Sequence, residues 1–428
     1  MSPLLLGLAL LSAQAQPADT LRLSDLHRAA IALDPRHRQL VLQDSAATLR
    51  IRNIAADRLP AVRLAADAAR QSEVITLPIQ VGGGGIPAPP AGRYEAALEI
   101  EQRLYDGGIT GRREDAEVAR LRAERARIAT ALHPLREEVN RAFFGALLQR
   151  HRMEEVTLAA GDLEARLDVV REQVRAGAAL PGDTAEIRAA LLRARQEHAQ
   201  ATSERRAALA VLSHLTGLEL SDTSELMLPP AGSLAESSLE TIDADASPHP
   251  RYALFDAELG RLDRLAAVAA ATPRPRVSAF GRWAYGSPGP RQFETDPYDY
   301  WTVGLRVQWQ PWNWSSTRRE RALLAVEGEM LRAERAAFTA DVLRRIEQDL
   351  AAVARLRDAI AMDDEIVTLR EQLERQAAAQ LIEGEITPAD YVSVRTDLQS
   401  ARLARSRHQV ELAHAGVRYL TALGYEVP

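Results

Sequence analysis

The sequence predicts a mainly α-helical protein with a smaller β part, built as two tandem helix–strand–strand–helix repeats. Three observations support this fold class: the chain repeats itself, both halves contain long stretches of apolar heptads, and four short segments alternate apolar with polar residues. The composition agrees, because a content of 26% charged and only 5% aromatic residues is more typical of long helices than of a compact core built from both helices and strands.

The N-terminal residues have the pattern of an export signal. An apolar run from Leu4 to Leu11 is followed by an Ala-Gln-Ala cleavage pattern that ends at Ala15. We therefore expect residues 1–15 to be a signal peptide. This run and every later apolar run are too short to cross a bilayer as a helix, so membrane attachment would have to come from the folded chain.

Equivalent residues recur at a nearly constant distance along the chain. Pro35 has a counterpart at Pro250, 215 residues later, and Gly177 has one at Gly384, 207 residues later. The difference of eight falls on a Gly/Pro-rich loop, residues 81–92, which the second half lacks. Each half is therefore expected to run in the same order: a helix, two strands, a long helix, a tight turn and a returning helix.

The repeat sets the expected domain boundaries. The first repeat covers residues 16–227 and the second covers residues 248–428. Between them, residues 228–247 are rich in Pro, Gly, Ser and Asp, which is typical of a linker. Helical stretches at about 24–57 and 250–271 open the two repeats.

Four segments alternate with period two: about 61–70 and 94–103 in the first repeat, and about 276–285 and 300–309 in the second. Segments of this length with one apolar and one polar face suit transmembrane strands, although a half-buried strand of a soluble sheet has the same pattern. All five tryptophans lie in this part of the second repeat, as expected of an interfacial aromatic belt. They are Trp283, Trp301, Trp309, Trp312 and Trp314.

The long helices, at about 112–176 and 317–383, show a different period. Apolar residues recur every seven positions in two series, one through Leu132 and Val139 and one through Ile128 and Leu135, over about seven heptads. Such heptads predict left-handed supercoiling against partner helices. Pro134 predicts a kink in the first of these helices.

Four strands per chain are too few to close a barrel, and an open sheet edge in lipid would leave backbone groups unpaired. Three copies would supply twelve strands, whereas the eight strands of a dimer would leave a lumen filled by side chains. The sequence thus predicts a homotrimer, with its barrel in contact with membrane lipid.

The element order and two turn motifs resemble the TolC family of outer-membrane channels. One motif joins Gly177 to Asp183, and the other runs from Gly384 through Thr387 and Pro388 to Asp390. The resemblance implies a trimeric 12-stranded barrel in the outer membrane of a Gram-negative bacterium, continued by a periplasmic α-helical coiled-coil barrel. It also implies a passive exit duct of a tripartite efflux pump or type I secretion system, served by a periplasmic adaptor and an inner-membrane transporter.

The resemblance also implies the functional positions. A channel constriction would involve Asp390 and Ser393, where the family archetype has two aspartates, and Leu381 and Ile386, where it has a polar latch. By hypothesis, apolar contacts of Leu381 and Ile386 hold the closed tip instead. Asp390 also fits a helix-capping role, which does not exclude a pore role. Adaptor docking would use the turn residues Gly177, Pro181, Asp183, Gly384, Thr387 and Pro388.

Other chemistry finds little support in the sequence. The chain has no Cys and no Lys, which excludes thiol nucleophiles, thiolate metal sites, Schiff-base lysines and Walker-type phosphate loops. A net charge of -6 argues against a nucleic-acid partner. We therefore expect no enzyme, metal or cofactor. The alternative function is an exported soluble coiled-coil scaffold, which would explain the heptads but not the paired strands with aligned tryptophans.

Overall fold

A computed structural model describes residues 20–74, 80–81, 84–85, 90–230, 247–291 and 296–427. The expected signal peptide, residues 1–15, lies outside the described residues. So do residues 231–246, which form most of the expected linker.

The described chain is mostly helical with a small sheet, which confirms the prediction of a mainly α-helical protein with a smaller β part. The first half contains α1 (Leu23–Leu33), α2 (Pro35–Ala56), β1 (Ala61–Arg70), the two-residue strands β2 (Gln80–Val81) and β3 (Gly84–Gly85), β4 (Gly92–Tyr105), α3 (Ile109–Leu132), α4 (Pro134–Arg175) and α5 (Pro181–Thr216). The second half contains α6 (Pro250–Ala271), β5 (Arg276–Ser287), β6 (Tyr298–Gln308), α7 (Ser316–Glu383) and α8 (Pro388–Leu423). Among the described residues, no helix has the length and apolar character required to cross a membrane.

Two prolines divide helices of the first half. The expected long helix is interrupted between Leu132 and Pro134, because proline has no backbone N–H and is tolerated only in the first turn of the helix that follows. The expected helix over 24–57 is likewise divided at Asp34, just before Pro35. The Asp34 carboxylate accepts the backbone N–H of Arg36 at 2.8 Å, and the Arg36 guanidinium holds the pKa of Asp34 below its usual range.

The chain divides into two compact units that cut across the two sequence repeats. One unit comprises Met1–Arg38, Ile128–Tyr252 and Ala336–Pro428, and the other comprises Gln39–Arg127 and Ala253–Arg335. Each unit takes segments from both halves of the chain. The boundaries of the compact units therefore differ from the boundaries of the predicted repeats.

The unit that contains the strands is organised around an antiparallel sheet in the order β1-β4-β5-β6. Ala61 pairs with Glu101, and Trp283 of β5 pairs with both Leu98 of β4 and Trp301 of β6. Within the described residues β1 and β6 each have a neighbour on one side only. Both edges of this sheet are open.

The other unit is held together by the heptad residues of α4. Leu135, Val139 and Ala146 pack in a core with α1, α5 and α8, while Val156 and Leu163 pack with α5 in a second cluster. The heptad positions of α4 thus face helices of the same chain. Gln149 interrupts the apolar series, and its Oε1 is buried without a hydrogen-bond partner among the described residues.

Buried histidines lie in the same unit. The His27 ring is 2.7 Å from Asn140 Oδ1, and the Asn140 amide donates to the Thr421 hydroxyl at 3.3 Å. The rings of His133 and His249 pack edge to face, 4.2 Å apart. Burial lowers the pKa of His27 to about 4, that of His133 to about 4 and that of His249 to about 3.

Acidification is therefore expected to destabilise this unit. The folded pKa of His27, about 4, lies below the unfolded value of about 6.5, so between these values the unfolded chain binds the additional proton. The contribution of neutral His27 to the free energy of unfolding is fully present above about pH 6.5 and is lost as the pH falls towards 4. At about pH 5 the decrease attributable to His27 is about 2 kcal/mol.

Thermal unfolding at about pH 7.5 and about pH 5 measures this effect. We expect His27→Gln to lose less stability on acidification than the unmodified protein. The control His37→Gln, at an exposed position of α2, should behave like the unmodified protein. Equal losses in all three proteins would contradict the role of His27.

Candidate functional site

The sheet has one apolar face and one polar face, since side chains alternate along each strand. One cross-strand row on the apolar face joins Leu64, Leu98, Trp283 and Trp301. Leu64 and Trp301 are 86% and 70% exposed, although both are large apolar side chains. An exposed apolar surface of this extent indicates a non-aqueous partner or a protein interface. The same face exposes Val62, Ile100, Val303, Leu305 and Val307.

The opposite face carries ion pairs between neighbouring strands. The Arg282 guanidinium donates to the carboxylate of Glu95 and lies 3.2 Å from that of Glu99. Ion pairs of this kind remain partly hydrated, so this face suits contact with water. Further polar contacts are Tyr300 with Glu95, and Arg306 with Glu101 at 3.7 Å.

The tryptophans lie at two levels of the sheet. Trp283 and Trp301 are direct cross-strand neighbours, whereas Trp309 follows the end of β6. Eight residues of strand separate Trp301 from Trp309, or about 26 Å at about 3.3 Å per residue. At the tilt of about 35–45° that strands have in outer-membrane barrels, this length spans about 20 Å along the membrane normal, somewhat less than the apolar band of about 25 Å between the two aromatic girdles. Trp312 and Trp314, 77% and 83% exposed, extend the second level.

The turn between α4 and α5, residues 176–183, is here called the first tip. Gly177 ends α4 with a φ of 73°, in the left-handed region that glycine adopts without strain. The Ala178 N–H donates to the Gln173 carbonyl at 2.8 Å, and the Asp183 carboxylate accepts the Leu180 N–H at 2.8 Å. Pro181 begins α5 and is exposed.

The turn between α7 and α8, residues 384–390, is called the second tip and has the same geometry. Gly384 has a φ of 76°, and the Glu385 N–H donates to the Gln380 carbonyl at 2.9 Å. The Asp390 carboxylate accepts the Thr387 N–H at 3.1 Å and the Thr387 hydroxyl at 2.7 Å. These bonds lower the pKa of Asp390, whose side chain is exposed. The capping geometry of Asp390 is therefore present, and its charge remains accessible.

Leu381, an apolar member of the expected constriction, lies inside its own helical hairpin. Its side chain is only 2% exposed and packs with Ala377, Ala378 and Tyr391. These contacts stabilise the hairpin, and the part of Leu381 in the constriction stays a prediction. Ile386 packs partly against the same cluster, whereas Ser393 is exposed on α8.

We call the pair α4 and α5 the first hairpin and the pair α7 and α8 the second hairpin. Sequence reasoning missed a set of polar contacts between α4 and the second hairpin. The Tyr391 hydroxyl donates to Glu374 at 2.9 Å and accepts a bond from Arg166 at 3.4 Å. The Arg395 guanidinium donates to Asp162 at 2.6 Å, and its side chain is only 3% exposed. We call these five residues the polar tie. They attach α8 to α4 through charged and polar groups, and the sequence-based hypothesis of apolar contacts at Leu381 and Ile386 did not include them.

The spacing of the polar residues along the sequence gives one indication of the polar tie. Asp162 and Arg166 are one helical turn apart on α4, and Tyr391 and Arg395 are one turn apart on α8, so each pair shares a helix face. Polar residues at this spacing are common on solvated helices, and only the packing of the two helices distinguishes this pair. Among the described residues, no group of acidic residues and histidines could hold a metal ion.

Comparisons with known proteins agree with a channel. Residues 26–218 match the family model "Outer membrane efflux protein". A search of curated proteins by sequence found no significant match. Neither the family nor the structural neighbours below are enzymes.

Three solved structures illustrate the similarity of fold. CusC, described in terms of transmembrane channel formation, is 14% identical with a TM-score of 0.67, covering 94% of this chain and 92% of CusC. The CmeC outer membrane channel of Campylobacter jejuni is 15% identical with a TM-score of 0.65, covering 95% and 86%. The MtrE outer membrane channel of Neisseria gonorrhoeae, in its open state, is also 15% identical with a TM-score of 0.65, covering 95% and 89%.

These findings confirm the predicted family and agree with a location in the outer membrane. Identities of 14% and 15% establish a shared fold, and the family model provides the link in sequence. Residues 26–218 thus match the outer membrane efflux protein family, and over 94% of its length the chain has the fold of the TolC-like outer-membrane channels.

Proposed function

We propose that three copies of this chain form one twelve-stranded barrel in the outer membrane, continued by a helical duct in the periplasm. The duct would be the passive exit of a tripartite efflux pump or of a type I secretion system. The observation that carries this proposal is the four-stranded sheet, whose exposed apolar face ends in two open edges.

Backbone chemistry supports a shared barrel. In lipid no water can satisfy the free N–H and C=O groups of β1 and β6, so each edge must pair with another strand. Pairing β1 of one copy with β6 of the next satisfies both edges at once. Three copies give twelve strands, enough for an open lumen lined by the face that carries Arg282 and Glu95.

The equal geometry of the two tips supports the division of the chain into tandem repeats, residues 16–227 and 248–428. The exposed tip residues Gly177, Pro181, Gly384 and Thr387 are the proposed docking points for a periplasmic adaptor. Asp183 shapes the first tip through its bond to Leu180. Pro388 is buried and would likewise shape the second tip without contacting the adaptor. An inner-membrane transporter would supply the energy for export.

The second tip is proposed as the constriction. Asp390 is exposed there, and Glu383 and Glu385 are exposed beside it. Three copies would form rings of carboxylates around the threefold axis, which favour cations and repel anions. Ser393 and Ile386 would line the same passage, and the polar tie would hold its closed position.

The alternative of an exported soluble scaffold explains the helical heptads but leaves the exposed face of Leu64, Trp301 and Val303 in water. A protein of that kind would fractionate without detergent. The outer membrane efflux family match weakens this alternative further.

Replacement of Asp390 is expected to change ion selectivity. In planar bilayers the detergent-extracted protein should give discrete cation-selective conductance steps. Asp390→Asn removes three negative charges from the ring while keeping the shape of the side chain, so cation selectivity should fall. The matched control is Asp183→Asn, which makes the equivalent change at the first tip and should leave selectivity unaltered.

Two outcomes would count against these assignments. Equal selectivity in both variants would remove Asp390 from the constriction without affecting the duct itself. A silent bilayer from protein that remains soluble without detergent would favour the scaffold.

Breaking the polar tie is expected to destabilise the second hairpin. Asp162→Asn leaves the buried Arg395 guanidinium without its carboxylate and should lower the free energy of unfolding by about 1–2 kcal/mol. Arg395→Met removes the buried charge, so no charged group is left without a partner. It should therefore lower the free energy of unfolding by less than Asp162→Asn does.

Thermal unfolding of both variants checks this order. The control is Asp168→Asn, which breaks an exposed ion pair with Arg171 on the same helix and should have little effect. A larger loss for Arg395→Met than for Asp162→Asn would show that the tie contributes by packing and not by charge.

A further inference from the structure

A polar cavity lies between helices α4, α7 and α8, and no part of the proposed duct function uses it. Its volume is about 330 Å³, near the lower limit for pockets that bind small molecules. All of its lining residues belong to one compact unit, within the segments Ile128–Tyr252 and Ala336–Pro428. We call it the arginine pocket, after Arg141 of α4, Arg345 of α7 and Arg418 of α8.

The two carboxylates of the arginine pocket are each held by a different arginine. Arg418 donates to Asp349 at 2.9 Å, and the Arg345 guanidinium lies 3.7 Å from the Glu137 carboxylate. Arg141 also lines the pocket, but among the described residues it makes no ion pair and no hydrogen bond. Three guanidinium groups thus face two carboxylates, and one positive charge is left over.

His414 of α8 lies among these positive charges. Its ring stacks on the buried Phe144 ring, with centroids 4.6 Å apart and planes inclined by 18°, so packing restricts its orientation. Burial, together with the nearby charges of Arg418 and Arg141, lowers the pKa of His414 to about 4. The ring is therefore neutral at about pH 7 and carries one N–H donor. Within the part of the chain that the structure describes, it makes no hydrogen bond.

The side of the pocket formed by Asp349 is poorly hydrated. The Asp349 side chain is only 14% exposed, and burial raises the pKa of its carboxyl although Arg418 and Arg345 act in the opposite direction. Charges that are partly buried are screened less than charges at an open surface. Arg141, in contrast, is exposed, so a ligand can reach the pocket from solvent.

The balance of charge and of hydrogen-bond donors favours an anion as the ligand. The Arg141 guanidinium alone offers five N–H donors, and the neutral His414 ring adds one. A cation would be repelled by the remaining positive charge, and an apolar molecule would bury these donors without partners. An anion with two or more oxygen atoms satisfies both the charge and the donors.

We propose that the arginine pocket binds a small oxyanion, that is, a phosphate or carboxylate group. Arg141 contacts two oxygen atoms of the anion through its planar fork of N–H groups, while Arg345 and Arg418 add positive charge from the neighbouring helices. The bound anion links α4 to α7 and α8. The site lies within a single chain, so it does not depend on the proposed barrel or trimer.

Isothermal titration calorimetry of the detergent-extracted full chain tests the site, with inorganic phosphate and succinate as probes and sodium chloride at equal ionic strength as the reference. We expect saturable binding of at least one of the two oxyanions. Arg141→Gln should weaken that binding by about tenfold or more, because it removes both the charge and the fork. Arg141→Lys keeps the charge and loses the fork, so its affinity should be intermediate.

The matched control is Arg193→Gln on α5. Arg193 is exposed, lies outside the pocket and makes no ion pair in the described ranges of the chain. Its replacement removes the same charge from the same compact unit. The affinity of this variant for the oxyanion should equal that of the unmodified protein.

Asp349→Asn provides a measurement with the opposite sign. It removes the carboxylate that competes for Arg418 and keeps the shape of the side chain, so the oxyanion should bind about tenfold more tightly. A variant that merely fails to fold cannot gain affinity. An increase therefore supports the site, and an affinity that is unchanged or lower contradicts it.

The outcomes also separate the pocket from the duct. Saturable binding of phosphate alone or of succinate alone would support the site and identify the group that it prefers. No saturable binding of either probe, or equal affinity in the unmodified protein and Arg141→Gln, would overturn it. Protein that conducts ions in planar bilayers but binds neither probe would keep the duct and lose the pocket.

Discussion

The unpaired backbone of the two edge strands is the constraint on which the rest of the structure depends. In the part of the chain that the structure describes, β1 and β6 each have one row of N–H and C=O groups without a strand partner, and the exposed face between them is apolar. In water such a sheet would associate through its edges, and in lipid it must do so. In the proposed assembly a single chain supplies one third of the barrel, and contact of its outer face with lipid accounts for the exposed leucines and tryptophans.

The helices of the chain are held together by apolar residues that are buried between them. Heptad residues of α4, among them Val139 and Val156, are fully buried against helices of the same chain. Glycine in the left-handed region and an aspartate that accepts backbone N–H groups reverse the chain at both tips, at Gly177 with Asp183 and at Gly384 with Asp390. Local chemistry thus defines the turns, and apolar burial joins the helices that the turns connect.

Helices and strands whose apolar residues recur at a regular spacing could be predicted from the sequence. The contacts between helices that are distant in sequence could not. Alternation around Trp301 predicts a strand because one face of a strand is uniform, and Gly384 predicts a turn because few residues adopt its backbone. The one-turn spacing of Tyr391 and Arg395 places both on one helix face, but it does not identify Arg166, 225 residues away in sequence, as the partner of Tyr391. The burial of Leu381 could not be predicted for a related reason, since an apolar residue beside a turn has the same sequence pattern whether it faces a lumen or its own hairpin.

The two repeats also differ where their helices meet. Asp162 and Arg166 of the polar tie correspond, 207 residues later, to Leu369 and Leu373, which are 51% and 48% exposed. The second hairpin therefore cannot offer the charged partners that the first hairpin offers to α8. In a duct of three copies, the polar tie of each chain would alternate, around the wall of the duct, with helix contacts that lack these charged residues. The hairpin that carries Asp390 would then be the one restrained by buried charge, and such a contact is sensitive to the loss of a single partner.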